Sequence, residues 1–483
     1  MAKRDRKRSP PDDEAFWQQQ ETRLRKNLGQ PCCTLSGMCS VLTGIKGNFS
    51  VVIHGETDCI NSFIYHQGPA VVNFYCTNLT EQEVTTGRTR QPLENCLRLL
   101  VDQAQPDAIL VLGTCLIEVI GDRFEDTVSK IAAESSVPIV AMHTSGLRLS
   151  SQSDMLDWLF ETLAKLPALE SLGSVWRRRV AKLGLKVYLS SFERRPKPIQ
   201  QVFSEYEDLK SPELMVAERS LNLIGLPEFE RDYELELVEV IENLGLEING
   251  FYPYSTSLDD WRCIGCTRTS FVVDRGLYPR LTARLENIGQ KVIEVPLPIG
   301  LEQSEKFYRI IAESFGQDSK LDKLIAGRIA QARADLDDFR SRRSGLRMAV
   351  GIRMLNNYRA DQLAYQGLGD VAALAELGLD LTLLVQGPPE EEARRQCAAT
   401  LESLGCDLPF EMFPDPWNLS ERLAQGRYDV AYLADHGREE AAKASVPMIV
   451  SRGLVPLFHG IDLNLKRLDK LLQDSLGDGK DRS

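Results

Sequence analysis

The sequence lacks the features that mark membrane, secreted and nucleic-acid-binding proteins. No apolar run reaches the roughly 18 residues that a bilayer-spanning helix needs. The basic start of the chain runs into SPPDDEAFWQQQ, which has no apolar core of a signal peptide. The formal net charge of −12 argues against nucleic acid as the main partner. We therefore expect a cytoplasmic protein whose partners are neither membranes nor nucleic acids.

Motifs for the common catalytic chemistries are also missing. There is no Walker A sequence, so this chain carries no P-loop nucleotide site. No hydrolase elbow, HExxH or paired-acid motif is present. The chain has five histidines, which leaves few groups for general acid–base catalysis. Of these, His54 and His459 are of interest, with a buried, hydrogen-bonded histidine as the alternative for both.

A repeated succession of short apolar runs and amphipathic segments predicts the fold. The runs NFSVVIHG, DAILVLGTC and VPIVAMHTS are typical of strands, and a helical pattern follows each. Such runs between helices indicate parallel strands that are buried on both faces. We predict an α/β protein with three tandem Rossmann-like, doubly wound parallel-sheet domains. The predicted divisions are a basic N-terminal arm with a short helix (1–30), a first domain (31–189), a linker or excursion (190–218), a second domain with a long connecting helix (219–345) and a third domain (346–483).

Three of the eleven cysteines are placed to form a metal site. Cys59 follows the strand NFSVVIHG and Cys115 ends the strand AILVLGT, so both are expected at the carboxyl edge of one sheet, near helix N-termini. That position favours a thiolate. Cys33 lies in the entry loop before the first strand and can fold back over the same edge. Three thiolates would suit iron in an iron–sulfur cluster, and a second chain would complete the usual four.

Simple burial is the alternative for these cysteines, because cysteine is among the most buried residue types. Spacing alone leaves both interpretations open, since no compact cluster motif is present. Cys32 and Cys39 are less suitable ligands, because the adjacent thiols of Cys32 and Cys33 point apart and Cys39 falls in an apolar helical run. The remaining cysteines outside one C-x-x-C pair are predicted to be core or surface residues, namely Cys76, Cys96, Cys397 and Cys406.

The C-x-x-C pair is CIGC, formed by Cys263 and Cys266. The pattern is typical of a redox pair or of half a zinc site. No second pair lies at zinc-ribbon spacing, so structural zinc is not expected. Two separate thiols in a turn before the next strand are the simpler interpretation.

Several segments, in order, resemble one protein family. CTLSGMCSVLTGIKGNFSVVIHGETDC and QPDAILVLGTCLIEVIGD (105–122) are similar to the first domain of nitrogenase component 1 proteins. The similarity is greatest to the β-type subunit of the molybdenum–iron protein. VPLPIGLEQSEKFYRIIAESFG (295–316) and KASVPMIVSRGLVPLFHG (443–460) resemble later segments of the family. The shared first-domain pattern consists of Cys33 with Gly37, His54-Gly55 ahead of Cys59, and Cys115 within GTCLIEVIGD.

The resemblance implies a cofactor and two partners. Cys33, Cys59 and Cys115 would hold an iron–sulfur cluster together with ligands from an α-type partner subunit, in an α2β2 heterotetramer. The cluster would be a P-cluster-like group of eight irons or a cluster of four. A separate homodimeric iron protein would hydrolyse ATP and deliver electrons, in keeping with the missing Walker A sequence. Electrons would pass to a catalytic metallocluster or a bound tetrapyrrole, usually associated with the α-type subunit.

The resemblance also favours a β-type, electron-relaying subunit. In the α-type subunit a cysteine ends a second-domain strand and holds the cofactor. The corresponding stretch here, FVVDRGLY, carries Asp274 and Arg275 and no cysteine. Cys266, one turn earlier, and His459 are reserve candidates for cofactor binding.

Departures from the family pattern point away from dinitrogenase itself. Its β subunit has a long extension ahead of the first cysteine, whereas about thirty residues precede Cys33 here. Retention of all three cysteines favours an active electron-transfer role over a cofactor-assembly scaffold. The β-type subunit of light-independent protochlorophyllide reductase uses an aspartate in place of one cysteine, and no such change is present. By elimination, among these and the chlorophyllide and nickel-tetrapyrrole reductases, we expect a methylthio-alkane reductase that cleaves a carbon–sulfur bond.

Overall fold

A computed structural model describes most of the chain. The predicted N-terminal helix and the predicted linker (190–218) lie outside the described residues, apart from residues 217 and 218. The described ranges are 33–61, 73–145, 152–166, 217–227, 231–253, 256–352, 364–387, 390–414, 418–434, 437–450 and 453–476.

Three parallel sheets follow one another along the chain, which confirms the predicted fold class. The strands are Phe49–His54 (β1), Phe74–Cys76 (β2), Ala108–Gly113 (β3), Ile139–His143 (β4), Ala217–Ile224 (β5), Glu247–Tyr252 (β6), Thr267–Val273 (β7), Lys291–Val295 (β8), Arg347–Ile352 (β9), Asp380–Gln386 (β10), Phe410–Phe413 (β11), Val430–Leu433 (β12) and Met448–Val450 (β13). The strand orders are β2-β1-β3-β4, β6-β5-β7-β8 and β11-β10-β9-β12-β13. We call the segments of the chain that contain these sheets the first unit (33–166), the second unit (217–316) and the third unit (346–476).

Helices connect the strands in all three units. The first unit contains Thr34–Thr43 (α1), Glu81–Thr86 (α2), Arg90–Leu99 (α3), Cys115–Val119 (α4), Phe124–Glu134 (α5) and Gln152–Leu163 (α6). The second unit contains Arg231–Asn243 (α7), Leu258–Arg262 (α8), Pro279–Asn287 (α9) and Leu301–Ser314 (α10), and the long helix Asp318–Arg343 (α11) leads to the third unit. The third unit contains Val371–Ala375 (α12), Glu391–Ser403 (α13), Leu419–Gly426 (α14), Arg438–Lys443 (α15) and Leu457–Leu476 (α16).

Helix α3 begins at Arg90 and is followed directly by a π-helical turn, Leu100–Ala104. Short 3-10 turns occur at Ile264–Cys266, Arg275–Leu277 and Ala364–Gly367. No helix in the described ranges has both the length and the apolar character that a bilayer crossing needs.

The central strands of the first sheet explain why the sequence reads as short unbroken apolar runs. Every residue of β1 and of β3 is buried. The two strands pair in parallel, with His54 opposite Gly113 at their carboxyl ends. Burial on both faces is the usual state of a parallel strand between two layers of helices.

Buried carboxylates join the units by capping helix N-termini. Asp157 on α6 of the first unit accepts hydrogen bonds from the N–H groups of Arg280 and Leu281 in the second unit, at 3.0–3.1 Å. Its side chain is 2% exposed. Phe160, one turn further along α6, stacks on Trp261 with ring centroids 5.2 Å apart. Unpaired N–H groups at a helix start need such acceptors, so the first two units share one core.

The second and third units are joined in the same way. Glu236 on α7 accepts from the N–H groups of Phe458 and His459 at the start of α16, at 3.3 and 2.7 Å. In the other direction, Glu376 at the end of α12 accepts from the N–H groups of Leu301 and Glu302 at the start of α10. The second and third units therefore each supply a carboxylate that caps a helix N-terminus of the other.

Replacement of Asp157 by asparagine should lower the midpoint of thermal unfolding. The amide keeps only one acceptor oxygen and directs N–H donors at other donors, so the expected loss is about 1–3 kcal/mol. Differential scanning calorimetry of the full chain measures it. Asp102→Asn, at an exposed position, is the matched control. Equal midpoints for both variants would show that the Asp157 contacts do not hold the units together.

Candidate metal centre

The candidate site lies where the strand order of the first sheet reverses. The chain passes from β1 outward to β2, and then from β3 outward to β4 on the other side. In open α/β sheets, ligands bind in the crevice outside the carboxyl ends of the strands at this point. Cys59 lies in a helical turn (57–61) just after β1, and Cys115 is the first residue of α4 just after β3. The two cysteines therefore flank this crevice.

The loops that carry these two cysteines touch each other. The N–H of Thr114 donates to the carbonyl oxygen of His54 at 3.1 Å. A Cβ atom at Gly55 would lie 2.3 Å from Thr114 Oγ1, which is closer than real Cβ atoms approach. Only glycine at position 55 allows this approach, and the approach fixes the start of α4 against the end of β1.

A hydrogen bond from the next residue, Thr34, holds Cys33 near the same edge of the sheet. It is the N-cap of α1, so the predicted entry loop is the start of a helix. Thr34 Oγ1 donates to the carbonyl oxygen of Thr144, just after β4. The N–H and Oγ1 of Thr144 both donate to the carbonyl oxygen of Gly113, at 3.1 and 2.8 Å. This chain of hydrogen bonds ties the start of α1 to the ends of β3 and β4.

The three cysteines differ in exposure. Cys33 and Cys115 are exposed, and Cys59 is half-buried. No disulfide links the ten cysteines in the described ranges. The structure thus brings the three predicted ligands to one edge, with two of them open to a second molecule.

The pKa of the Cys59 thiol is raised, whereas a stabilised thiolate was expected. Burial is the largest cause of a rise in its pKa to about 11, and the negative charges of Cys33, Cys115, Cys76 and Glu56 add to it. The expectation that a nearby helix N-terminus would favour the thiolate is therefore wrong for Cys59. Desolvation and like charges outweigh the dipole of a short helical turn. A bound cation would reverse this balance, and its binding would release a proton.

The donor set suits iron in a cluster better than a single ion. Within the described residues, no three Cys, His, Asp or Glu side chains are grouped to hold one metal ion. In an iron–sulfur cluster each thiolate binds a different iron, so the ligands need not meet at one point. The Oγ1 of Thr114 is buried without a hydrogen-bond partner in the part of the chain that the structure describes. A hydroxyl beside Cys115 could donate to a sulfur atom, so the residues present fit such a group.

Two histidines support the segment that follows Cys115. The Nε2 of the fully buried His54 lies 3.4 Å from Asp122 Oδ2. This hydrogen bond is the largest cause of the lowered pKa of Asp122. His143, at the end of β4, pairs with Glu118 at 2.8 Å and with Glu125. His54 thus matches the alternative of a buried, hydrogen-bonded histidine.

An aromatic ring fills the space between these pairs. The Phe124 ring centroid lies 5.7 Å from that of His54 and 5.0 Å from that of His143. A Cβ atom at Gly113 would lie 2.7 Å from this ring, so the packing requires glycine there. A cavity of about 310 Å³ in the same segment is lined by Glu118, Gly121, Asp122, Arg123, Glu125 and Asp126. Its four carboxylates disfavour an anionic ligand.

The reserve candidates lie elsewhere in the fold. Cys266 ends the 3-10 turn before β7, and so lies at the amino end of that strand. His459 is exposed near the start of α16 in the third unit, and its N–H donates to Glu236. Asp274, at the carboxyl end of β7, accepts from the N–H of Tyr365 in the third unit at 2.6 Å. Neither reserve candidate is at the carboxyl edge of the first sheet.

One further cysteine lies at this edge. Cys76, predicted to be a core or surface residue, is half-buried at the end of β2, next to β1, and packs against the core of the first unit. The pairing of β2 with β1 brings it near Cys59, and its charge adds to the rise in the pKa of Cys59, of which burial is the largest cause. A short strand far from Cys59 in sequence does not reveal that pairing before the sheet order is known.

Alkylation of Cys59 in the metal-free chain should increase about tenfold per pH unit from pH 7 to pH 10, because the thiolate is the nucleophile and the pKa of Cys59 is about 11. Iodoacetamide labelling with mass spectrometry measures the rate. In the denatured chain the rate should level off near the ordinary cysteine pKa of about 8.5. A plateau near that pH in the folded chain would contradict the raised pKa.

Gly55→Ala should lower the thermal midpoint, and Thr114→Ala in the same chain should restore part of the loss. The added methyl collides with Thr114 Oγ1 and Cγ2, and overpacking of this kind costs about 1–3 kcal/mol. Gly327→Ala, where a Cβ meets no atom within 4 Å, is the control. Additive effects of the two site substitutions would show that the loops do not touch.

Comparisons with known proteins find similar sequences and similar structures. The family described as nitrogenase component 1 type oxidoreductase matches residues 32–463. The nitrogenase iron-molybdenum cofactor biosynthesis protein NifE of Sinorhizobium fredii is 31% identical over 72 residues, which are 15% of this chain and 14% of that protein. NifE of Klebsiella pneumoniae is 28% identical over 101 residues, which are 20% of this chain and 22% of that protein.

A third relative has a different role. Subunit N of the light-independent protochlorophyllide reductase of Rhodopseudomonas palustris is 29% identical over 116 residues, which are 24% of this chain and 27% of that protein. In these curated relatives the match thus spans at most 27% of the relative's length.

Solved structures extend the similarity over the whole fold. Nitrogenase Cp1 at pH 6.5 superposes with a TM-score of 0.65 and 13% identity, covering 92% of this chain and 93% of that chain. Nitrogenase Cp1 at pH 5 gives a TM-score of 0.60 and 16% identity, covering 92% and 88%. At such identities the likeness concerns the fold alone. With a family match from residue 32 to residue 463, the chain belongs to the nitrogenase component 1 type oxidoreductases.

Proposed function

We propose that the chain is a β-type subunit of a nitrogenase-like, ATP-dependent reductase, in which an iron–sulfur cluster held with a partner subunit relays electrons from a separate iron protein to a catalytic site. The observation that carries this proposal is the convergence of Cys33, Cys59 and Cys115 on the crevice where the strand order reverses. Membership of the family supplies the reaction class.

The three cysteines would act as the ligands of this chain. Each would lose its proton to solvent on binding, because the thiolate is the form that binds metal. The half-buried Cys59 would fix the depth of the cluster, while the exposed Cys33 and Cys115 would leave its outer side open. An open outer side is what a cluster shared with an α-type subunit requires.

The surface beside Cys115 supports a protein partner. Val119 and Ile120, at the end of α4, are 71% and 38% exposed. Exposed apolar side chains next to exposed thiols are typical of an interface that a second chain covers. We infer an α-type partner in an α2β2 heterotetramer, and a homodimeric iron protein that docks close by. The sequence has no Walker A motif, so ATP hydrolysis belongs to the iron protein.

The end of β7 supports the β-type assignment. The α-type subunit of the family that the sequence resembles has a cofactor-holding cysteine at the end of the corresponding strand. Here Asp274 occupies the position, and its carboxylate already accepts the N–H of Tyr365. The catalytic metallocluster would therefore belong to the α-type partner.

We infer the reductive cleavage of a carbon–sulfur bond in a methylthio-alkane as the reaction of the complex. This inference is by elimination within the family, because all three cysteines are retained and none is replaced by aspartate. The complex would work in the cytoplasm and without oxygen, since exposed cluster thiolates are open to oxidation.

A scaffold for cofactor assembly is the second candidate function. The local matches to two NifE proteins, whose names denote cofactor biosynthesis, favour it. A tetrapyrrole reductase subunit is a further alternative, favoured by the match to subunit N of protochlorophyllide reductase. Sustained substrate reduction by the purified complex would exclude the scaffold, and conversion of protochlorophyllide would identify the tetrapyrrole reductase.

Iron and acid-labile sulfide of the complex, co-expressed with its neighbouring subunit and purified without oxygen, test the proposed site. Cys33→Ala, Cys59→Ala and Cys115→Ala should each lower both contents several-fold, because each removes one thiolate of the usual four. Cys406→Ala removes a half-buried thiol in the third unit and should leave them unchanged. Full iron in all three site variants would overturn the proposal.

A further inference from the structure

The edge that carries the three cysteines holds a further thiol, on β2. Cys76 is the last residue of this strand, opposite Ile53 of β1. The carboxyl ends of β2, β1 and β3, which are adjacent in the sheet, therefore lead to Cys76, Cys59 and Cys115 in that order. Parallel strands bring all three to the same side of the sheet.

Hydrogen bonds hold the loop after β2 against the loop after β1. The N–H of Thr77 donates to Ile53 O at 3.0 Å, and the N–H of Leu79 donates to Gly55 O at 2.9 Å. In return, the N–H of Gly55 donates to Thr77 Oγ1 at 3.1 Å. Cys76 thus has a fixed position beside the turn that leads to Cys59.

Cys76 and Cys59 share a hydrogen-bond acceptor. The carbonyl oxygen of Glu56 lies 3.3 Å from the N atom of Cys59 and 3.6 Å from the Sγ of Cys76. The N–H of Asn78 donates to Cys76 Sγ at 3.4 Å, and the Oδ1 of Asn78 accepts from Thr57 Oγ1. Burial raises the pKa of Cys76, and the N–H of Asn78 opposes the rise in part, as the outer partners of metal-bound cysteines do.

The remaining nearby thiols are less suitable. Burial raises the pKa of Cys39, with a smaller contribution from the charges of Cys33 and Cys59, but Cys39 is 0% exposed within the core. Cys96 on α3 is half-buried, and its pKa is raised by burial first and by the charge of Cys76 second. Cys76 is half-buried and shares the Glu56 carbonyl oxygen with Cys59, so of these three thiols it best combines access with proximity.

Resting on the proposed function, we propose that Cys76 is a fourth thiol ligand of this site, so that the chain can hold a four-iron cluster with its own side chains. Four thiolates are the usual complement of such a cluster. Each thiol gives up its proton as its sulfur binds iron, and no electron is transferred. A partner subunit would then receive a cluster already seated on this chain.

Ligand exchange with a preformed cluster tests this assignment. The full chain, expressed without a partner, is mixed without oxygen with a synthetic four-iron cluster that carries four small fluorinated thiolates. Every protein cysteine that binds releases one fluorinated thiol and protonates it, so fluorine NMR counts the ligands. We expect all four thiols to be released by the wild-type chain and by Cys96→Ser, and one fewer by Cys76→Ser.

The outcomes separate this inference from the proposed function. Release of three thiols by the wild-type chain and by Cys76→Ser, with less release by Cys115→Ser, would overturn the role of Cys76 and keep the three-cysteine site. No cluster uptake, unaltered by Cys115→Ser, would overturn both. If Cys76→Ser does not fold, differential alkylation of the wild-type chain decides. Cluster loading should then protect Cys76 and leave Cys96 reactive, and equal labelling of Cys76 with and without cluster would overturn the inference.

Discussion

The site depends on one contact, between the glycine after β1 and the threonine after β3. Gly55 and Thr114 approach so closely that no side chain fits between them, and the N–H of Thr114 donates to the backbone of His54. The register of the first sheet alone would leave the two loops free to diverge beyond the strands. The contact keeps the two loops together. It therefore fixes the positions of Cys59 and Cys115 relative to each other.

The charged groups near this contact fall into two sets: paired histidines and carboxylates, and a group of thiols of like charge. The carboxylates and histidines behind α4 are paired with one another, so the segment after Cys115 is held by polar contacts that are already satisfied. The thiols in front face other thiols, whose charges repel. Like charges in a half-buried place are tolerable when protonated, and become favourable when a cation joins them. The group of thiols therefore favours a positively charged occupant.

The sequence was sufficient to predict the three sheets and the positions of two of the three candidate ligands. Unbroken apolar runs locate β1 and β3, and the carboxyl-edge rule then places Cys59 and Cys115 without further knowledge. The position of Cys33 depends on a hydrogen bond between Thr34 and Thr144, which are 110 residues apart. The raised pKa of Cys59 depends on burial and on the charges of Cys33, Cys115, Cys76 and Glu56. These are tertiary properties, and no local pattern carries them.

The aspartate at the end of β7 links cofactor binding to the attachment of the third unit to the second. Asp274, with a left-handed φ of 50°, accepts the backbone N–H of Tyr365 and so anchors the third unit to the second. A mutation that installed a metal-binding cysteine there would remove this anchor. At this position, acquiring a metal-binding cysteine and keeping the attachment between the second and third units are alternatives. A lineage that moved from one role to the other would have had to rebuild the junction first.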